Sequence, residues 1–388
     1  MKKLICSALV LSVIMMGTMA LAGNINGGLG VINTDKGTAT NLMIRGNWKI
    51  APWGLGLDIN WVMPEASRPS NLDLFVLRYV EYDDGTRGVR LGTIENLTYG
   101  YGLLMDNYST FSGATTIVTN QQLGVRAYTK DFPVWVDVLG TRSSVYGVRL
   151  VENWFPELIL GRPLLIGQTF ITDSDGVLVS GNIVGKGQTA IGVDAGIPIV
   201  PGVWDVFAEY GMLPDAGHGL KNVSGWTVGT KVGVFDIAKV SFQFLNYQSG
   251  FVPGYFNAQY ETSPVALNSS ANINSAGKSG YLGRLEAALT DQFTLSGTYQ
   301  KFEGFDPSLA ATAGAKLPND IQATATYEQP KFASLSDLDQ NNATYKLDVF
   351  YPVQGGKMVV HWKRVAIAAS TYQETTWAEY MLDFGNLF

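Results

Sequence analysis

The stretch "WGLGLDINW", residues 53 to 61, carries a large apolar residue at every second position, with Gly, Gly, Asp and Asn in between. A β-strand turns successive side chains to opposite faces, so the apolar residues from Trp53 to Trp61 share one face. A soluble sandwich would bury this face, whereas an outer-membrane barrel turns it toward lipid and its polar face toward a lumen. The stretch therefore predicts a strand and leaves open what covers its apolar face.

The N-terminus has the three parts of a secretory signal peptide. Lys2 and Lys3 are followed by an apolar run from Leu4 to Met16, and Ala20-Leu21-Ala22 provides a small-x-small site. We expect cleavage after Ala22 following Sec-type export, and a membrane anchor is the alternative. The only cysteine, Cys6, precedes this site, so disulfide and thiolate chemistry is not expected after cleavage.

Composition and charge restrict the class of protein. Loss of Lys2 and Lys3 would lower the formal charge from −6 to −8, which argues against a nucleic-acid partner. No later stretch is long and apolar enough for a transmembrane helix. The chain is nevertheless 46% hydrophobic and 12% aromatic with 44 glycines, which suits strands that distribute apolar residues by alternation.

The same alternation recurs along the chain. It predicts strands at 25–31, 42–50, 204–212, 226–234, 281–289, 293–300, 321–328 and 345–351, and the pair Ala51-Pro52 predicts a tight hairpin turn. Short turns around 290–292 and 236–238 contrast with long loops predicted at 249–279 and 303–319. Trp48, Trp53 and Trp61 are spaced as aromatic girdles at the two edges of an apolar band.

These patterns predict an all-β fold, a transmembrane antiparallel up-and-down β-barrel of about 18 strands (16 to 20), formed as one domain by residues 23–388. The segment 95–120 does not follow the alternation of turn and loop. Either it is a loop folded into the lumen or a strand has been miscounted elsewhere.

The end of the chain, "AEYMLDFGNLF", places Ala378, Tyr380, Leu382, Phe384 and Phe388 in one period-two register. It resembles the C-terminal signal of bacterial outer-membrane β-barrel proteins, in which the last strand ends in Phe, although Asn386 departs from the usual apolar residue. The resemblance implies outer-membrane localisation in a diderm bacterium. It also implies recognition by the barrel-assembly machinery through Tyr380, Leu382, Phe384 and Phe388.

Charged residues at inward registers are the candidate site. The predicted pore-lining residues are Arg45, Lys49, Asp58, Arg126, Asp137, Arg149, Glu209, Lys231, Arg284, Glu286, Lys346, Asp348 and Lys363. Mixed signs on a wide wall would keep a channel wet and set a transverse field that favours polar solutes. They could equally neutralise one another.

Other chemistry has weaker support. His361 is expected on the lumen face and His218 in a loop, and neither has a recognisable catalytic partner nearby. "TDSDGV", Thr172 to Val177, begins like a calcium loop but lacks the later ligands, so a turn is the simpler interpretation. No zinc, phosphate-binding or dinucleotide motif occurs, so we expect no cofactor, no metal and no catalytic site.

The expected function is porin-like: passive diffusion of small hydrophilic solutes or ions through a barrel embedded in outer-membrane lipid. Exposed apolar belts would serve lipid contacts and a homotrimer alike. The alternatives are a non-conducting barrel that anchors the envelope, a barrel enzyme that acts on lipid through His361, and a soluble β-sandwich or solenoid.

Overall fold

The structure is a computed structural model of the 388-residue chain. It describes residues 23–34, 37–63, 75–114, 117–121, 123–131, 133–159, 161–174, 177–179, 182–184, 188–215, 221–234, 237–258, 260–261, 277–329, 331–332, 343–353, 356–368 and 371–383. The predicted signal peptide, residues 1–22, and Phe384 and Phe388 lie outside these ranges.

One large sheet contains most of the described strands. Its members are β1 (Gly23–Thr34), β2 (Gly37–Ile50), β3 (Trp53–Met63), β4 (Phe75–Asp83), β5 (Arg87–Gly92), β10 (Gly124–Thr129), β11 (Val134–Thr141), β12 (Val145–Ile159), β13 (Arg162–Asp173), β16 (Thr189–Val200), β17 (Trp204–Asp215), β18 (Lys221–Val234), β19 (Ala238–Tyr247), β21 (Lys278–Thr290), β22 (Phe293–Phe302), β23 (Ser308–Lys316), β24 (Gln322–Gln329), β25 (Thr344–Val353), β26 (Gly356–Ala368) and β27 (Thr371–Asp383).

Short strands lie in the connections between these wall strands. They are β6 (Leu97–Tyr99), β7 (Met105–Tyr108), β8 (Phe111–Ala114), β9 (Ile117–Gln121), β14 (Val177–Val179), β15 (Asn182–Val184) and β20 (Phe256–Asn257). A 3-10 turn covers Pro318–Asp320. Within the described residues, no helix is both long and apolar enough to cross a membrane.

The wall is a closed antiparallel ring. Each wall strand pairs with the next along the chain, including β5 with β10, β13 with β16 and β19 with β21. The last strand, β27, pairs with β1, with Asn26 opposite Asp383 and Leu29 opposite Tyr380. The prediction of an antiparallel barrel is confirmed, and the twenty strands of the sheet lie at the upper end of the predicted range.

Short turns occur at one end of the barrel and most of the long connections at the other. The hairpin at Ala51-Pro52 is confirmed, because Ile50 lies opposite Trp53. The predicted loop at 303–319 is wrong, because Ser308–Lys316 forms β23. Its sequence, SLAATAGAK, consists largely of small residues, so the apolar contrast on which the alternation depends is missing.

The two faces of the wall differ in chemistry. One row of cross-strand neighbours runs Val138, Val148, Phe170, Ile191, and all four side chains are exposed. The adjacent row, on the opposite face, runs Asp137, Arg149, Thr169, Gly192. In β3, Trp53, Leu55 and Trp61 are likewise exposed, while Gly54, Gly56 and Asp58 are buried. We call these the apolar face and the polar face.

Aromatic residues mark the turn end of the apolar face. Trp53, Trp204 and Phe293 each begin a strand directly after a short turn, and their side chains are exposed. This arrangement is typical of an aromatic girdle at a membrane interface. At the other end of the barrel, buried apolar residues form a cluster. It joins wall residues such as Leu139 and Leu213 to two connections, one from Ile94 to Tyr108 and one from Phe251 to Tyr260.

Candidate functional site on the polar face of the barrel

Arginines on the polar face are held by carboxylates of other wall strands. Arg126 in β10 donates two hydrogen bonds from Nε to Asp137, at 3.2 Å to Oδ1 and 3.1 Å to Oδ2, and one from Nη2 to Oδ2 at 2.6 Å. Arg149 in β12 reaches across β13 to Asp194 in β16, with Nη1 to Oδ2 at 2.6 Å and Nη2 to Oδ1 at 2.9 Å. Gly167 lies between these two side chains, and a Cβ there would lie only 2.4 Å from Asp194 Oδ2 and 2.5 Å from Arg149 Nη2.

A second ionic group lies around β3. Arg45 Nε and Nη2 each lie 3.0 Å from one carboxylate oxygen of Asp58, which is fully buried. Arg78 approaches the same carboxylate at 3.8 Å and donates to the Asn47 side chain. A register shift opposite Gly56 and Leu57 in β3 makes room for Arg78 next to Tyr79. The two guanidinium groups compensate the charge of Asp58.

The other predicted pore-lining residues are more exposed or paired differently. Lys346 contacts Glu328 at 3.1 Å, and Asp348 contacts His361 Nδ1 at 2.6 Å. Lys363 lies opposite Lys346 in the register, and Lys49 lies at the turn end of β2. The structure thus places the thirteen residues on one face without bringing them into one cluster. That they line an open pore stays a prediction.

The connection from Thr93 to Leu123 joins two strands that pair with each other, and its first half, Thr93–Ser109, packs on the polar face. We call Thr93–Ser109 the first inner segment. Its turn, Tyr99–Leu103, covers Glu209: the backbone N–H groups of Tyr101 and Leu103 donate to Glu209 Oε2 at 2.9 Å and 3.1 Å. Gly100, with φ of +66°, permits this approach, because a Cβ there would lie 2.4 Å from Glu209 Oε1.

Three further contacts attach the first inner segment to the wall. Tyr99 Oη donates to Asp137 at 3.2 Å. The ring of Tyr101 stacks on Phe207 of β17 with centroids 3.9 Å apart. Asp106 accepts from Arg284 Nη2 of β21 at 2.8 Å. The segment therefore bridges strands from β11 to β21 across the polar face.

A second inner segment, Phe251–Glu261, braces the first. β20 pairs in parallel with β7, with Phe256 opposite Met105. Gly254 N donates to Leu103 O at 2.8 Å, and Phe256 N donates to Leu104 O at 3.1 Å. The two segments share one buried hydrophobic cluster and pack directly against each other.

The second inner segment ends at two buried acids. Tyr260 Oη donates to Asp173 Oδ2 at 2.6 Å, and Tyr108 Oη donates to the Glu261 carboxylate. Burial raises the pKa of Glu261 above its usual range, and the nearby charge of Asp173 acts in the same direction. The hydrogen bonds from Ser143 and Tyr108 oppose this rise. A protonated Glu261 therefore fits the docked segment better than an ionised one.

Several residues of this site were not predicted from the sequence. Asp194 could have been found, because it is the one charged residue in the alternating stretch "IGVDAGIPI". Arg78 lies at a register shift, which removes the period-two signal. Asp106 and Tyr101 lie in a connection without periodicity, and only tertiary structure brings them to the wall.

The weaker candidates are placed as follows. Asp173 of the calcium-like stretch is buried against Tyr260, and Asp175 lies outside the described residues. Within the part of the chain that the structure describes, no three His, Cys, Asp or Glu residues are grouped as metal ligands. His361 is 6% exposed beside Asp348, and His218 lies outside the described ranges.

Comparison with solved structures finds outer-membrane porins and channels. The chain is similar to OccK11 (OpdR) of Pseudomonas aeruginosa, with 11% identity over 93% of this chain and 94% of that one and a TM-score of 0.41. OccAB4 of Acinetobacter baumannii matches with 10% identity over 93% and 96%, and a TM-score of 0.40.

Another similar structure is Wzi of Escherichia coli, a carbohydrate-binding outer-membrane β-barrel involved in group 1 capsule assembly. It has 11% identity over 96% of this chain and 86% of that one, and a TM-score of 0.38. No protein-family model matches the sequence, and no curated protein matches it. The assignment as an antiparallel barrel rests on the strand pairings themselves.

Proposed function

We propose that this chain is a porin-like channel for passive diffusion of small hydrophilic solutes or ions. The proposal rests on the opposite chemistry of the two faces of one closed ring of strands. A ring with exposed apolar side chains on one face and guanidinium and carboxylate groups on the other suits lipid outside and water inside. Charged groups on the inside would be costly in a dry interior and favour a wet lumen.

The proposed location is the outer membrane of a diderm bacterium, reached after Sec-type export. Residues 1–22 supply the export signal, and the alternating C-terminal strand supplies the signal for the barrel-assembly machinery. β27 is the strand that closes the ring, which suits a recognition element at that position. Lipid covers the apolar face, and a homotrimer would use part of the same surface.

The first inner segment would act as a constriction of this channel. Its side-chain and turn contacts reach β11, β17 and β21, and at its start Thr93 N donates to Arg78 O of β4 at 2.6 Å. Solutes would therefore pass between this segment and the opposite wall. Lys346, Asp348 and Lys363 lie on that wall, with Arg45, Lys49 and Asp58 further around the ring.

Single-channel recording in planar bilayers tests the proposal. Refolded protein should produce stepwise conductance, and migration on a detergent gel should differ before and after boiling. Boiled protein from the same preparation is the matched control. A heat-modifiable barrel that gives no conductance steps would contradict the channel.

A non-conducting barrel is the second candidate. The buried cluster formed by the two inner segments favours it, because the same residues that narrow a lumen could fill it. The recording above separates the two. For a lipid-acting enzyme we see no support: His361 is held by Asp348 on the wall, and we propose a structural role for it.

A further inference from the structure

A cavity of about 620 Å³ opens on the polar face at the turn end of β17, β18, β19 and β21. A volume of this size suits a small ligand. Its charged lining comes from two rows of cross-strand neighbours. The first row runs Asp205, Lys231, Ser241, Arg284, and the second places Lys239 opposite Glu286.

The charges of this cavity are less closely paired than those of the neighbouring arginines, although Arg284 donates to Asp106 at 2.8 Å. Arg126 and Arg149 are neutralised by bidentate carboxylates. By contrast, within the described residues no ion pair within 4.0 Å is made by Lys231, Lys239, Asp205 or Glu286, and Arg284 keeps 40% of its side chain exposed beside Asp106. Both signs of charge are thus available to a solute.

Small residues keep the space between these charges open. Ser241 lies on the strand between those of Lys231 and Arg284, so the backbones that carry the two cations are two strand spacings apart, roughly 9.6 Å. This separation leaves room for a carboxylate between the two side chains. Gly233 lies beside Lys239, and a Cβ there would have no atom closer than 3.5 Å. Lys231 Nζ is 4.9 Å from the Tyr101 ring centroid, so the cavity adjoins the first inner segment.

We propose that this cavity binds a small zwitterionic solute of the free amino-acid type during its passage. Its carboxylate lies between Lys231 and Arg284, with Ser241 as a hydroxyl donor. Its ammonium group faces Asp205 and Glu286. This inference rests on the proposed channel, and it adds a substrate class to it. A cavity with one sign of charge would select anions or cations, whereas both signs select a molecule that carries both.

The test is swelling of liposomes that contain the protein, with alanine and lactamide as probes. The two solutes have the same size, and only alanine is zwitterionic. At low solute concentration alanine should enter about threefold faster than lactamide. This is the ratio expected if binding in the cavity gains the free energy of one solvent-exposed ion pair. Sodium lactate, which carries only the carboxylate, should be slower than alanine.

Substitutions in the cavity test whether the preference for alanine over lactamide arises there. Lys231→Gln and Asp205→Asn should each bring the alanine-to-lactamide ratio close to one, because each removes one half of the recognition. Lys331→Gln makes the same charge change at an exposed lysine paired with Asp306, outside both the cavity and the predicted pore lining, and should leave the ratio unchanged. Heat modifiability confirms that each variant is folded.

Each outcome is decisive. Swelling with a ratio near one in the unmodified protein, or a preference for lactate over alanine, overturns the zwitterion site while leaving the channel intact. An unchanged ratio in both cavity variants also overturns it. A folded protein that admits none of the three solutes overturns both the site and the proposed function.

Discussion

At the scale of single residues, the charges of the polar face differ in how much they contribute to folding. The Arg149–Asp194 pair is largely buried, with side chains 15% and 6% exposed. The Lys346–Glu328 pair is open to solvent, at 39% and 49%. A buried charge that loses its partner is costly, whereas an exposed pair contributes little.

We therefore expect Arg149→Met to lower the free energy of unfolding by about 3–5 kcal/mol, because Asp194 is left buried without its main counterion. Urea titration of protein folded into lipid vesicles measures this change. Lys346→Met is the matched control and should cost less than about 1 kcal/mol. Similar losses for the two variants would show that the lumen around Arg149 is as wet as the surface around Lys346.

At the scale of elements, the first inner segment is held by a wall carboxylate rather than by strand pairing with the wall. Both backbone donors of its turn converge on Glu209 Oε2. A side-chain amide oxygen can replace a carboxylate oxygen in this role, but a methyl group cannot. The attachment of the turn can thus be tested by two changes at one position.

Glu209→Ala should release the turn. Hydrogen exchange at the Tyr101 and Leu103 amides should accelerate by roughly tenfold or more, since both hydrogen bonds to the Glu209 side chain are lost. Open-channel current should become noisier. Glu209→Gln should preserve most of the protection. Equal exchange in Glu209→Ala and the unmodified protein would mean that Glu209 does not hold the segment.

The second inner segment should respond to pH through Glu261. Its pKa in the folded protein is raised above the ordinary value, mainly by burial. The docked segment is therefore most stable at pH below the ordinary glutamate pKa, about 4.3, and loses stability as the pH rises from there through the raised pKa.

Exchange mass spectrometry over a pH series, corrected for intrinsic rates, should show falling protection around Phe256 as pH increases. Glu261→Gln keeps an acceptor for Tyr108 and should flatten this dependence. The turn at Asp291–Gln292 provides an internal reference far from the site. A variant that keeps the full pH dependence would assign the titration to another group.

At the scale of the whole molecule, alternation was sufficient to predict the barrel but not the content of its lumen. The strand Trp53–Met63 is evident in the sequence because lipid and water impose opposite chemistry on alternate residues. β23 was missed because Ser308–Lys316 carries little of that contrast. In a barrel of this kind each strand pairs with the next strand along the chain, so recognising the strands by their alternation is enough to predict most of the fold.

The inner segments follow a different physical rule. Tyr101, Leu103 and Asp106 reach their partners through contacts separated by more than a hundred positions in sequence. Their backbone is irregular, so no period marks which side chains face the wall. The sequence identified 95–120 as unusual, and only the three-dimensional arrangement shows that Glu209, Phe207 and Arg284 hold it.

The central claim is that the polar face encloses a conducting lumen, and thiol labelling tests it directly. No cysteine occurs after Cys6, so introduced cysteines would be unique beyond that position. Thr326 and Ala325 are neighbours in β24. The Thr326 side chain lies on the polar face, 3.4 Å from Thr312, and Ala325 is exposed on the other face.

The measurement is single-channel conductance of Thr326→Cys before and after a water-soluble cationic thiol reagent, with Ala325→Cys as the control. We predict conductance steps in both variants and a reduced step after labelling in Thr326→Cys alone. A silent, folded barrel, or a reduction confined to Ala325→Cys, would contradict the account.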